Sequence, residues 1–96
     1  MIRSFGDDST RDIWDGRNSK AARRIPNAIW AMVRRKLDQL DAVRRLEDLR
    51  VPPGNRLHAL TGDRTGFYAI RVNDQYRVIF RFEAGDAHEV CCTDYH

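Results

Sequence analysis

Apolar and polar positions along the chain change period near its middle, from a helical repeat to a strand repeat. In the first half, Ile29, Val33, Leu37 and Leu40 recur at spacings of four, four and three. That spacing draws one apolar stripe along an amphipathic helix. Pro26 is a suitable first residue, because the N–H it lacks would be unpaired there anyway. Ile25, Trp30, Val43 and Leu46 widen the stripe, and Val51-Pro52-Pro53-Gly54 closes the helical region. Arg34 with Asp38, Asp41 with Arg45, and Arg44 with Asp48 fall four apart on its wetter sides, where a pair adds a few tenths of a kcal/mol. This charged face reads first as a solvated helix surface. Ahead of the helix, Ile2 to Phe5 can form a short strand. Asp7-Asp8-Ser9-Thr10 offers N-caps for a short helix through about Asp15, anchored by Ile13 and Trp14.

From Asn55 onward the repeat is two. Residues 55–60 predict a short strand, 61–66 a glycine-containing loop, and Phe67 to Val72 a strand rich in aromatic and β-branched side chains. Asn73-Asp74 is a tight-turn signal. Residues 75–82 alternate: Tyr76, Val78, Phe80 and Phe82 on one face, Arg77, Ile79 and Arg81 on the other. Ala84-Gly85-Asp86 makes the next turn, and residues 87–95 the last strand. Helices followed by an antiparallel meander imply an α+β domain over residues 1–96, with two helices from the first half packed on a small, twisted, mainly antiparallel sheet.

Composition narrows the partners. The 96 residues suffice for one compact domain, and 42% hydrophobic content supports one modest core. The net charge of +3 is uneven: residues 1–50 carry 12 basic and 8 acidic side chains, residues 51–96 carry 5 and 6. A basic excess fits a polyanion or an acidic protein partner. No apolar run approaches the roughly 20 residues that span a bilayer, and the start has no apolar leader pattern, so the expected compartment is the cytoplasm, with no membrane partner. Cys91 and Cys92 are adjacent, poor geometry for an ordinary disulfide. With no CxxC or Cys/His spacing, no metal site is expected. In a strand the two thiols point to opposite faces, one into the core and one partly exposed.

The candidate chemistry lies in the second half. His96 follows Asp94-Tyr95, which puts an imidazole beside two carboxylates, one of them the chain terminus. His58 precedes the loop that carries Arg64, and Arg77 and Arg81 project from one face of the strand expected to pair with the last. Cleaving RNA through the ribose 2′-hydroxyl needs a base for that hydroxyl, an acid for the 5′-oxygen, and cations for the phosphorane. Histidine can serve either proton-transfer role near neutral pH. Arginine offers phosphate a planar fork of donors, and tyrosine can stack on a base. Such chemistry requires neither metal nor cofactor. The plainer readings stand beside it: Gly62-Asp63-Arg64 as a turn, Phe67, Tyr76 and Phe80 as core, His88 as structural or exposed, and Trp14 and Trp30 as packing between helices and sheet.

Motifs then supply a family. The run Leu57-His58-Ala59-Leu60-Thr61-Gly62-Asp63-Arg64-Thr65-Gly66-Phe67-Tyr68-Ala69-Ile70 resembles L-[HK]-P-L-x-G-D-R-x-G-[FY]-[WY]-[AS]-[IV] of the HigB toxins, in the RelE/ParE superfamily. Val72 to Phe80 is similar to that family's V-x-x-[NQ]-[WY]-R-[IV]-x-F, Asp94-Tyr95-His96 to its D-Y-H ending, and Met1 to Phe5 to its M-I-x-S-F opening. The resemblance spans the chain and is strongest over residues 57–96. It implies a RelE-like fold and the toxin of a type II toxin–antitoxin system: a ribosome-dependent endoribonuclease that cuts mRNA in the A site of the 70S ribosome. A helix-turn-helix antitoxin of the HigA type would restrain it, with operator DNA reached only through that antitoxin. By position, His58, Arg77, Tyr95 and His96 match the family's active-site residues and Asp94 an acidic one, while Arg64 and Arg81 are further candidate phosphate ligands. One departure is Thr61, where characterised members carry lysine; without that cation, charge stabilisation rests more on Arg77. Two other readings follow from the same superfamily. One is a ParE-like gyrase inhibitor, which needs no catalytic histidine. The other is a weakened toxin acting chiefly as antitoxin partner and co-repressor.

Overall fold

The computed structural model describes residues 1–95. Its first helix, α1 (Asp8–Trp14), begins where Asp7 accepts a 2.8 Å hydrogen bond from the Thr10 N–H, an N-cap that contributes about 1 kcal/mol. It ends at Gly16, whose φ of +76° is left-handed and free of steric penalty only for glycine. After Pro26 the backbone makes a 3₁₀ turn over Asn27–Ile29 before the second helix, α2 (Trp30–Ala42), takes over. Trp30 Nε1 donates to the Ile25 carbonyl at 2.8 Å across that entry. Val33, Leu37 and Leu40 are fully buried, so the stripe read from spacing is the face that packs on the sheet.

The helix stops earlier than its charge pattern predicts. Val43 is extended, and Leu46–Arg50 forms a separate 3₁₀ turn that buries Leu49. Asp41 and Arg45 therefore do not share a helix, nor do Arg44 and Asp48. The Asp41 carboxylate instead accepts the Ile2 N–H at 2.8 Å, and Arg45 pairs with Glu47 at 2.7 Å. No glycine or proline marks this end; tertiary contacts override local propensity there.

The sheet has four strands in chain order: β1 (His58–Ala59), β2 (Tyr68–Arg71), β3 (Tyr76–Glu83) and β4 (Asp86–Asp94), each antiparallel to the next. Two helices on a mainly antiparallel sheet give the expected α+β class. The expected strand over 55–60 shrinks to two residues, because Pro53–Asn55 is a 3₁₀ turn and Arg56 adopts a left-handed conformation at φ 48°. The expected first strand survives only as two isolated parallel bridges, Ile2 to Ala87 and Phe5 to Val90, along the free edge of β4.

One β-bulge sets the phase of β4. Ile79 pairs with Cys91 but Arg81 pairs with His88, so β4 carries one extra residue here, with Glu89 at φ 53°. Ala87 and Val90, three apart, consequently both face the core, which a strict period of two forbids. The core collects Ile13, Val33, Leu37, Leu40, Ile70, Val78, Phe80 and Val90 between the helices and the inner sheet face. The outer face holds only a small cluster of Leu60, Ala69 and Ile79, flanked by Phe67 and Cys91. The two cysteines fall on opposite faces as expected: Cys92 is buried, Cys91 half-buried. Among the described residues, no helix is long and apolar enough to cross a membrane.

Phe80 is fully buried at the centre of the core. Phe80→Ala should lower the unfolding free energy by about 3–5 kcal/mol in a urea titration, whereas a loss below about 1 kcal/mol would mean the core packs elsewhere. Burial pushes both thiols up to about 12, Cys91 further disfavoured as a thiolate by its 3.1 Å hydrogen bond to Asp7 Oδ2. Because the thiolate is the reactive form, iodoacetamide at neutral pH should label the folded protein about 100-fold or more slower than free cysteine. Fast labelling without denaturant would contradict that environment.

Candidate active site

The outer sheet face is built in rows fixed by register. His58 pairs with Ala69, Ala69 with Ile79, and Ile79 with Cys91. One row along, Arg71 pairs with Arg77 and Arg77 with Thr93. Directly paired residues share a face, so His58, Arg71 and Arg77 all stand on the side away from α2. Tyr95 follows two residues after Thr93 and is held to the neighbouring turn by its N–H, which donates to the Gln75 carbonyl at 2.8 Å.

Tyr95 is the centre of the arrangement. Its ring meets the His58 imidazole edge-on at 6.1 Å between centroids and 71° between planes, and the Arg77 guanidinium carbon lies 5.6 Å from its centroid. The first and fourth strands of a flat sheet stand about 14 Å apart. Contact between His58 and Tyr95 therefore has the two side chains reach toward each other across the outer face. The cation–π geometry with Arg77 adds on the order of 0.5–1 kcal/mol at a partly exposed site.

Arg77 is held by carbonyls, with the Asp74 carboxylate within electrostatic range but not paired to it. Its Nη1 donates to the carbonyl of Tyr76 at 3.0 Å and to that of Asn73. Among the described residues no carboxylate pairs with it, in contrast to Arg71, bound to Asp74, and Arg81, bound to Glu83 and Glu89. His58 is exposed, and its Nδ1 lies 2.9 Å from the Arg56 carbonyl oxygen. A carbonyl only accepts, so Nδ1 carries the proton and Nε2 faces away from this bond.

The remaining expected site residues lie elsewhere. Asp94 pairs with Tyr76, accepts from Gln75 Nε2 at 2.9 Å, and by strand alternation faces away from Tyr95. Arg81 is four residues from Arg77 along β3, about 13 Å at strand rise. Its two carboxylate partners favour the charged guanidinium, the Glu89 hydrogen bond first, and shift its pKa upward. Arg64 is exposed in the 3₁₀ turn Gly62–Arg64 at the tip of the β1–β2 connection, near enough to Cys91 to favour its thiolate slightly. Thr61 is exposed at the start of that turn. His96 lies outside the described residues. Sequence patterns marked Asn73 only as part of a turn and gave Gln75 and Arg56 no role in the site, yet the backbone carbonyls of these three hold Arg77, Tyr95 and His58.

Among the described residues, no group of three His, Cys, Asp or Glu could hold a metal ion. Two clefts lie away from the Tyr95 cluster. One, about 560 Å³, is lined by Arg3, Asp41, Arg44 and Asp86; the other, about 470 Å³, by Trp14, Arg34, Arg35 and Asp38. Small-molecule sites are usually enclosed. Neither of these two clefts includes His58, Arg77 or Tyr95.

Comparison with known proteins gives the chain a family and a fold. Over 70 residues the chain is 47% identical to Toxin HigB-1 of Vibrio cholerae serotype O1, covering 73% of this chain and 74% of that protein. Over 41 residues it is 44% identical to Endoribonuclease HigB of Proteus vulgaris, covering 43% and 45%. Among solved structures, a YoeB/ParE toxin from Agrobacterium tumefaciens aligns over 99% of this chain and 100% of its own with TM-score 0.56 and 13% identity. A YoeB–YefM complex from Staphylococcus aureus aligns over 100% and 98% with TM-score 0.55 and 16% identity. These last two share the fold. The family described as RelE-like toxin of type II toxin–antitoxin system HigB matches residues 3–96, and the chain belongs to that family.

Proposed function

We propose that this toxin is a ribosome-dependent endoribonuclease that cuts mRNA in the A site, attacking the scissile phosphate with the adjacent 2′-hydroxyl and using no metal. The observation that carries the reading is Arg77: a guanidinium fixed by backbone carbonyls, set against the Tyr95 ring, and without a carboxylate ion pair among the described residues. A phosphate passing over that face meets donors that need not break an ion pair to receive it, and their fork matches its oxygens. His58, edge-on to the same tyrosine ring, transfers a proton at the reacting oxygens. Tyr95 orients the nucleotide by stacking, and His96, matched by the family motif, is the second proton-transfer group. Asp94 supports the geometry of this terminus from the other face, through Gln75. Arg64 meets RNA backbone further along the face. Arg81 contributes charge there only when its carboxylate partners yield. With threonine at position 61, the developing charge falls chiefly on Arg77.

A toxin of this class works where translating ribosomes are, in the cytoplasm, and is restrained by an antitoxin of the HigA helix-turn-helix type, through which alone it reaches operator DNA. Membership of a type II toxin–antitoxin family supports the antitoxin partner, and similarity to Endoribonuclease HigB of Proteus vulgaris supports the nuclease activity.

Primer extension on ribosomes translating a defined message tests the reading. Arg77→Ala should slow cleavage about 100-fold or more, and Arg77→Lys should recover only part, since a point charge replaces a fork. His58→Ala and His96→Ala should each cost about 100-fold to 10,000-fold, all with far-ultraviolet circular dichroism unchanged. Normal cleavage by folded Arg77→Ala, or poisoning of gyrase on supercoiled DNA without any mRNA cleavage, would overturn it.

A further inference from the structure

Behind the open face lies a buried polar cluster that the reaction does not touch. Asn55 is fully buried, and its amide is fully engaged: Oδ1 accepts from Lys36 Nζ at 2.6 Å, while Nδ2 donates to Gln39 Oε1 at 3.0 Å and to the Leu49 carbonyl at 3.1 Å. Lys36 projects from α2 and is only 8% exposed. Burial, then the nearby Arg35 and Arg71 cations, push its pKa down. Its hydrogen-bond acceptor is a neutral amide, so the charge is buried without the partner that usually offsets desolvation. An apolar side chain at position 36 would fill this space without that cost.

What the cluster holds is the segment leading to His58. Asn55 ends the 3₁₀ turn Pro53–Asn55, and the next residue, Arg56, is left-handed at φ 48°, a conformation disfavoured for a side chain with a Cβ. That conformation turns the Arg56 carbonyl to His58 Nδ1. We propose that Lys36 and Asn55 are positioning residues for His58. They clamp residues 53–56 to α2, hold Arg56 left-handed, and thereby fix the neutral imidazole with its proton on Nδ1 and its lone pair on Nε2. In that tautomer Nε2 can only accept a proton, which assigns neutral His58 the role of base toward the 2′-hydroxyl. The inference rests on the reading of His58 given above. Released from the clamp, Arg56 relaxes toward extended backbone and the ring loses the acceptor that selects its tautomer.

The experiment is a long-range ¹H–¹⁵N spectrum of the full chain carrying ¹⁵N-histidine, paired with single-turnover cleavage on programmed ribosomes. The wild-type protein should show neutral His58 protonated on Nδ1. Lys36→Met and Asn55→Ala should give a tautomer mixture and a cleavage rate constant about 10-fold lower, with half-saturating ribosome concentration within about two-fold of wild type. Lys36→Arg, which keeps a charged donor, should restore both readouts. Should the first two variants unfold, Asn55→Asp keeps the acceptor for Lys36 and removes both Nδ2 donors, and it should shift the tautomer in the same direction. A wild-type His58 protonated on Nε2, or folded variants with unchanged tautomer and rate, overturn the proposal. His58→Ala cleaving at the normal rate would overturn the reading of the site instead, leaving the tautomer measurement to judge the clamp separately.

Discussion

The extra residue in β4 is the constraint on which the arrangement of this molecule depends. Without it, the β3–β4 hairpin would continue the register set by Arg81 and His88, and every side chain after Glu89 would change faces. Val90 and Cys92 would then lie on the open side and Tyr95 on the helix side. The bulge instead keeps Ala87, Val90 and Cys92 in the core and delivers Tyr95 to the face that carries Arg77 and His58. A bulge also increases local twist, and His58 on the first strand meets Tyr95, the residue after the last.

A bulge leaves backbone groups unpaired, and here the start of the chain satisfies them. The Glu89 N–H donates to Ser4 Oγ at 2.9 Å, the Val90 N–H to the Ser4 carbonyl at 3.0 Å, and the Gly6 N–H to the Val90 carbonyl at 2.8 Å. Further on, the Cys92 N–H donates to Thr10 Oγ1 at 2.8 Å. The two parallel bridges, each three residues from the next on both strands, follow the bulged spacing of β4. Gly6 suits this close contact, since a Cβ there would sit 3.0 Å from the Glu89 carbonyl oxygen and force the bulge to give by a few tenths of an ångström. The opening segment thus covers an edge that would otherwise be free to pair with another chain, and it fixes the bulge in place.

What could be read from sequence is what local periodicity encodes. The α2 stripe and the alternation of β3 are local signals, and both were legible. So were the opposite faces of Cys91 and Cys92, the core position of Phe80 and the half-buried packing of Tyr76 against that core. The end of α2 at Ala42, the bulge at Glu89 and the left-handed Arg56 were not, because each is imposed by contacts with residues distant in sequence, such as Asp41 with Ile2 or Asn55 with Lys36. The candidate site divides in the same way. Motif matching selected His58, Arg77 and Tyr95, which the fold brings together. It could not tell that Asp94 faces the other side, or that Arg64 and Arg81 stand apart from the tyrosine.

Charge distinguishes the arginines of the outer face more sharply than position does. Arg71, Arg77 and Arg81 look equivalent in a strand diagram, yet carboxylates hold two of them and carbonyls hold the third. A carboxylate partner fixes a guanidinium but cancels its field, and an incoming phosphate must then compete with it. Carbonyl partners fix the group through dipoles and leave its net charge available. At an exposed site, where an ion pair contributes little to stability, the two arrangements differ less in folding energy than in the potential presented to an anion. Arg77 is the cation that lies against the Tyr95 ring, so under the proposed reading the backbone that holds it, the Asn73 to Tyr76 turn, belongs to the site as much as the side chain does.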